Sequence, residues 1–319
     1  MKDSKIQVSV VCTAYNQEKY IADALNSFVM QKTNFPFEII VHDDASTDRT
    51  PEIIKDYAER YPEIIIPILE TENQYSKHDG SIRKIIKQYV RGKYRATCEG
   101  DDFWIDEYKL QKQYDYMENN PDCFLCANAW YSQISSGKRF EGHYRHESCD
   151  ISIDDAINGF GRIVATCSFF CKAELYDYTP AYQEVSPCGD YIMPIKACEK
   201  GKVHYIDDIM SVYRELSSTS LTSSWNNDPE KFRVYMKQYY LMLDKLDEHF
   251  TNKYHSLIEK ERNRITTKYY LLANDEILKT KEYREKLNEY LKNYSFKGKM
   301  KIYCQIHAPL IISLYNKIK

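Results

Sequence analysis

Glycine is scarce in this chain, ten among 319 residues, about 3% against a typical ~7%. No stretch reads as a Gly-rich phosphate cradle, and Gly159-Phe160-Gly161 is a lone GxG that reads as a turn. A site that handles phosphates here must rest on metal and cationic side chains instead. Long apolar runs are also missing: no segment reaches the ~20 residues of a membrane-spanning helix. No secretory signal opens the chain, since Met1-Lys2-Asp3-Ser4 leads straight into a strand-like segment, and a cytoplasmic location is expected. The ten cysteines build no zinc set. Cys123 and Cys126 would point to opposite faces of a strand, and Cys167 and Cys171 have no His near them in sequence, so reduced, partly buried thiols are expected. The eight histidines show no metal-ligand spacing.

With 43% hydrophobic and 29% charged residues the chain is not a disordered one. Its net charge of -3 hides an asymmetry: residues 1–225 hold 25 basic and 35 acidic side chains, and residues 226–319 hold 19 and 12. An acidic body argues against nucleic acid as the substrate, because phosphate contacts need a basic surface. The positive charge gathers in residues 292–319, with six basic residues and no acidic one. There Tyr303, Ile306, Leu310, Ile311, Leu314 and Ile318 share a helical face interrupted at Pro309. Such an end suits peripheral contact with the inner, anionic face of a membrane, or packing against the body or a second copy.

Residues 6–12 form a β-branched apolar run that predicts a buried strand, and Tyr20, Ile21, Ala24, Leu25 and Phe28 follow at helical spacing. Further strands are expected at 37–41, 64–69 and 93–98, with helices at 51–60 and 81–91 between them. This alternation predicts an α/β fold, a Rossmann-like, mostly parallel sheet flanked by helices, with ligands at the carboxyl ends of the strands. After a helix at 106–119 come strands within 123–147, a short helix near 152–158 and a strand at 163–171. A helix at 190–199 and two short strands at 203–206 and 209–214 end the pattern. Long helices rich in Tyr, Lys, Glu and Leu begin past Trp225, which divides the chain into a catalytic domain, 1–225, and a helical region, 226–319.

Three strand ends are polar: Thr13-Ala14-Tyr15-Asn16, Asp43-Asp44-Ala45-Ser46 and Glu99-Gly100-Asp101-Asp102. The last carries the strongest signal. Clustered carboxylates repel unless a cation neutralises them, and all-oxygen ligands select a hard ion such as Mg²⁺ or Mn²⁺. The competing reading is an acidic N-cap ahead of a helix beginning near Phe103-Trp104.

Taken in order, Val10 through Asn16, Glu38 through Asp48 and Gly92 through Trp104 resemble the opening strand, the D-D-x-S-x-D turn and the DxD motif of family 2 glycosyltransferases with the GT-A fold. Glu99 stands where that family commonly has Asp. The resemblance covers about residues 5–215 and implies a metal-dependent, inverting enzyme of bacterial surface-polysaccharide assembly. Its donor would be a nucleotide-diphosphate sugar, UDP-linked by the family's habit, and its acceptor a glycan or lipid-linked glycan. Thr13 and Tyr15 would then surround the base, Asp44 would accept its hydrogen bond, and Glu99 would lie at the donor. Asp101 would face the ribose or the metal, and Asp102 would be its direct ligand. Arg83 is the candidate diphosphate contact, with Lys84 and Arg91 as alternatives.

Inversion needs a base on the face opposite the leaving diphosphate. Asp190, after a Pro/Gly turn at the start of a helix, is the candidate. Asp207 and Asp208 are the rivals and read as a tight turn between strands. Tyr213-Arg214 resembles the family's late Y-R pair, closing or supporting the site. His143 and His146 read as surface residues able to meet an acceptor, and Trp104 and Trp225 as packing residues, with stacking on a sugar as the alternative. A sugar nucleotidyltransferase would want a Gly-rich, basic loop after the first strand, which residues 12–16 lack. A non-catalytic nucleotide- or glycan-binding module is the remaining alternative.

Overall fold

The computed structural model describes residues 5–77, 79–159, 163–215 and 229–272, with the single residues 281, 285, 288, 291 and 299. The chain divides into two compact units, residues 1–179 with 188–223 and residues 180–187 with 224–319. Trp225 and all of 292–319 except Lys299 lie outside the described residues, as do Phe160 and Gly161.

In the first unit β1 (Val8–Ala14), β2 (Phe37–Asp43), β3 (Ile65–Leu69) and β4 (Tyr94–Thr97) run parallel in the order β3-β2-β1-β4. Both faces are covered, which is why these strands read as near-continuous apolar runs. Val10, Cys12, Ile39 and Val41 face one core with Leu25 and Phe28 of α1 (Ile21–Val29). Val11, Ile40 and Ile68 face the other with Ile86 of α3 (Ser81–Lys87). The crossover α2 (Thr50–Arg60) sets Ile54 and Tyr57 against the first core. One antiparallel strand, β9 (Phe170–Lys172), joins β4 to β6 (Cys123–Gln133), and β10 (Lys202–Arg214) runs parallel to β6. The carboxyl ends of β1, β2, β4, β6 and β10 therefore share one rim. Short β5 (Phe103–Trp104), β7 (Arg139–Gly142) and β8 (Cys149–Asp150) pair along β10 and β6. Among the described residues this unit also contains the α-helices α4 (Lys109–Asn119), α5 (Ile153–Gly159) and α7 (Gly189–Lys200).

Two expectations need correction. The strand expected at 163–171 is strand only at its end, where β9 begins at Phe170; before it lies a tight turn at Thr166–Ser168, closed by Ser168, whose amide and hydroxyl both donate to the Ala165 carbonyl. The two strands expected at 203–206 and 209–214 are a single strand, β10, with a bulge between Ile206 and Ile209. Asp207 and Asp208 thus occupy a bulge and not a turn, and sequence patterning cannot tell these apart because both interrupt the alternation.

The loops after β1 and β2 are laced together. The Asn16 amide donates to Ser46 Oγ at 2.8 Å, the Thr47 amide to Asn16 Oδ1 at 2.8 Å, and the Glu18 amide to Asp48 Oδ2 at 3.0 Å. Asn16 and Ala45 both take left-handed backbone conformations, φ 53° and 59°. Asn tolerates this; an alanine pays roughly 1 kcal/mol. Ala45→Gly is therefore expected to raise stability by about 0.5–1 kcal/mol, read as a higher urea midpoint at unchanged m-value.

The second unit includes α6 (Ala181–Glu184), α8 (Pro229–His249) and α9 (His255–Leu272). Phe232, Tyr235, Met236, Tyr239, Met242 and Leu243 of α8 are buried with Ile258 and Ile265 of α9. The buried Glu261 accepts from the Tyr239 hydroxyl at 3.0 Å and pairs with Arg264, so its charge is not left alone in the core.

Candidate active site

The rim is organised by β1. Past Thr97 the chain stays in register with it, the Cys98 amide donating to the Val11 carbonyl at 3.1 Å and the Gly100 amide to the Thr13 carbonyl at 3.0 Å. Gly100 packs closely here: a Cβ there would lie 2.2 Å from Gln17 Oε1 and 2.9 Å from Ile21 Cδ1, so both side-chain ends would have to move. This clamp fixes where the three acids point. One carboxylate oxygen each from Glu99, Asp101 and Asp102 lie within 4.8 Å of one another. No helix begins at Phe103, which enters β5, so the N-cap reading of the cluster fails.

Asp102 is buried. Its Oδ1 accepts the Arg214 amide at 2.8 Å, while Oδ2 has no hydrogen-bond partner. Burial, then Asp101 and Glu99, pushes its carboxyl well above the ordinary range. Burial, then Asp101 and Asp190, pushes Glu99 up to about 8. An orphaned carboxylate oxygen inside an acidic triad is costly unless a cation sits there. The donor set is all oxygen, which fits a hard divalent ion. Arg214 is pinned nearby: its Nη1 donates to the Asp101 carbonyl at 2.6 Å, it pairs with Asp23, and its guanidinium lies 4.4 Å from the Phe103 ring centroid.

Asp190 stands in the first turn of α7, half-buried, its carboxyl raised by burial. Its charge acts on Glu99 and on Tyr213, whose phenol also feels Asp102, Glu99 and Asp101. The structure thus brings Asp190 and Tyr213 to the acidic cluster. Asp44 anchors a different part of the rim. Its carboxylate accepts the Gln74 amide at 2.6 Å and the Tyr75 amide at 3.0 Å, and its own amide donates to the Ala14 carbonyl. This turns Tyr75 toward the acids: burial and Glu99 raise its phenol, while the residue stays half exposed. Tyr15, just past β1, is exposed. Sequence reasoning missed Tyr75, whose only signal was an aromatic in the loop after β3.

Arg83 is half-buried on α3, its Nη1 donating to Thr179 Oγ1 at 3.2 Å, and its charge helps depress the buried Lys196 ammonium, which burial chiefly pulls down to about 8. Of the alternatives, exposed Lys84 reaches the Asp79 carbonyl. Arg91 is excluded: it forks onto the buried Glu38 at the opposite ends of β1 and β2. Trp104 is core, its indole N–H donating to the Cys167 carbonyl at 2.8 Å, so it offers no face to a sugar. Asp207 and Asp208 lie up β10 from Arg214, roughly 20 Å from the rim at ~3.3 Å per residue, and are no rivals to Asp190. Asp207 instead meets His143, half-buried, and His146, exposed as expected of a surface residue, in a grouping with metal-ligand composition. Among the described residues no helix is long and apolar enough to cross a membrane.

The sequence model of Glycosyl transferase family 2 matches residues 9–176, more than half of the chain. The chain belongs to that family. A family 2 match of this length spans the strands and loops that carry every acid of the rim except Asp190. An uncharacterised protein of Mycobacterium tuberculosis is 36% identical over 211 residues, 65% of this chain and 58% of that relative, so the match leaves a large part of the relative uncovered. WfaP of Escherichia coli, a UDP-Glc:alpha-D-GlcNAc-diphosphoundecaprenol beta-1,3-glucosyltransferase, is 24% identical over 88% of this chain and 98% of its own. The mannosyltransferase PcManGT of Pyrobaculum calidifontis, solved with GDP-Man and Mn²⁺, superposes with a TM-score of 0.57 at 14% identity, covering 98% of this chain and 81% of its own. At that identity the likeness establishes the GT-A fold.

Proposed function

We propose that this chain is a metal-dependent, inverting glycosyltransferase that moves a hexosyl or N-acetylhexosaminyl group from a UDP-linked donor to a hydroxyl of a glycan or lipid-linked glycan during polysaccharide assembly. The observation that carries the reading is the orphaned Oδ2 of Asp102 within the Glu99-Asp101-Asp102 triad, with Asp190 in electrostatic reach. Support comes from WfaP, whose name gives a UDP-sugar donor and a diphosphoundecaprenol-linked acceptor, and from PcManGT with its nucleotide sugar and Mn²⁺.

Asp101 and Asp102 would hold Mn²⁺ or Mg²⁺ with Glu99 beside them, and such an ion supplies neutralisation of the charge that grows on a departing diphosphate. Tyr15 offers its exposed face to the base, which Asp44 engages with lone pairs left after its two amide bonds, and Thr13 lines the same pocket. Arg83 brings positive charge to the diphosphate. Asp190 removes the acceptor hydroxyl's proton as the new carbon–oxygen bond forms and the bond to the diphosphate breaks on the opposite face. Burial raises its carboxyl above the ordinary range, which makes its carboxylate a stronger base. The basic end, residues 292–319, would meet the anionic membrane surface that presents a lipid-linked acceptor.

A panel of nucleotide sugars, each with Mn²⁺ or EDTA and scored for nucleotide release, tests the proposal. UDP release from at least one UDP-sugar is expected, falling ~100-fold or more in EDTA. Metal-independent release from every donor, or release from none, would overturn it.

A further inference from the structure

Away from the acidic rim, the loop between β7 and β8 sets two imidazoles against a carboxylate. His143 and His146 stand three residues apart in that loop, and Asp207 projects from the bulge of β10. One ligand atom from each lies within 4.8 Å of the others. The two rings are 4.5 Å apart, and His143 Nδ1 is 2.6 Å from Asp207 Oδ1. The arrangement is built: the Asp207 amide donates to Ser148 Oγ at 3.0 Å, and the Tyr205 hydroxyl donates to Asp207 Oδ1 at 2.9 Å. Glu141 Oε2 lies 3.4 Å from His143 Nε2. His146 is exposed and has no hydrogen-bond partner among the described residues, and its ring lies against that of His143. The transfer chemistry proposed for the rim uses none of these groups.

We propose that His143, His146 and Asp207 bind a divalent transition-metal ion of the Zn²⁺ type, stapling the β7–β8 loop to β10. Two imidazoles and one carboxylate are the donors such ions take, and the fourth position is left for water or Glu141. Around a tetrahedral ion with bonds of about 2.0–2.1 Å, ligand atoms stand about 3.3 Å apart, so the His143–Asp207 pair, at 2.6 Å, would open slightly and His146, within 4.8 Å, would settle against it. His146, on an exposed loop, can supply that movement. The all-oxygen triad at the rim selects hard ions, so the two clusters would sort metals by ligand chemistry.

The test uses the full chain stripped with chelator, kept in Mg²⁺, and titrated with Zn²⁺ against a chromophoric competitor, with Co²⁺ absorption as a second readout. One equivalent of Zn²⁺ is expected to bind with Kd of about 1 μM or tighter. His146→Ala and Asp207→Asn should each weaken it at least ~10-fold and abolish the ligand-field absorption of tetrahedral Co²⁺. Asp102→Asn and Cys149→Ser should leave it within a few-fold of the parent. Melting curves in EDTA establish that His146→Ala is folded. Affinity weaker than ~100 μM, equal affinity in His146→Ala, or loss in either Asp102→Asn or Cys149→Ser would overturn the assignment.

Discussion

Asp190→Asn is expected to lower turnover by about 10²–10⁴-fold while UDP affinity stays within a few-fold of the parent. The substitution keeps size and hydrogen-bonding shape and removes only the ability to take a proton. Asp190 stands on the first turn of α7, whereas the donor loops follow β1, β2 and β4, so losing its charge disturbs no donor contact. Its charge is one of those that raise Glu99, so the variant should bind Mn²⁺ at neutral pH no more weakly than the parent. Steady-state transfer kinetics with a calorimetric UDP titration separate the two quantities. A variant with parental turnover would remove Asp190 as the base; one that has also lost UDP would make it a donor-binding residue.

Asp102→Asn is expected to work in opposite directions on stability and activity. In the metal-free protein it removes a buried carboxyl whose Oδ2 has no partner, and stability should rise by about 1–3 kcal/mol. Transfer should fall ~100-fold or more, and the stabilisation that Mn²⁺ confers on the parent should vanish. The pH dependence has a definite sign. Glu99 in the folded chain is pushed up to about 8, chiefly by burial, against roughly 4.3 when unfolded. The folded protein therefore holds a proton that the unfolded chain releases between about pH 4.5 and 8, and metal-free stability falls as pH rises through that window. Mn²⁺ binds the ionised form, so its stabilising shift should grow from about pH 6 to about pH 8.5 and then level off. Thermal unfolding of parent and variant, with and without Mn²⁺ across that range, checks all three statements. An equal Mn²⁺ shift in Asp102→Asn would place the ion elsewhere.

How much of this was legible beforehand depended on how local each feature is. The strands from Val8 to Thr97 and the helices between them were readable because each is a run of apolar residues with one period, and burial on both sheet faces makes that run continuous. The Glu99-Gly100-Asp101-Asp102 cluster was readable for the same reason: its acids are neighbours in sequence and follow directly on a strand. The bulge at Asp207, the tight turn at Thr166–Ser168 and the two-residue strands β5 and β8 were not, because each is set by pairing across the sheet and leaves no period behind.

By itself, then, the sequence determined a parallel α/β core with an acidic rim at its strand ends, since contiguous residues suffice for both. Only the tertiary structure decided which distant groups meet there. Asp190 and Tyr213 come to the acids, Tyr75 is turned in by Asp44, Arg91 is taken away by Glu38, and Asp207 is given to the histidines. These partnerships rest on strand register and crossover geometry, where a shift of one residue sends a side chain to the other face, and no local pattern encodes that choice.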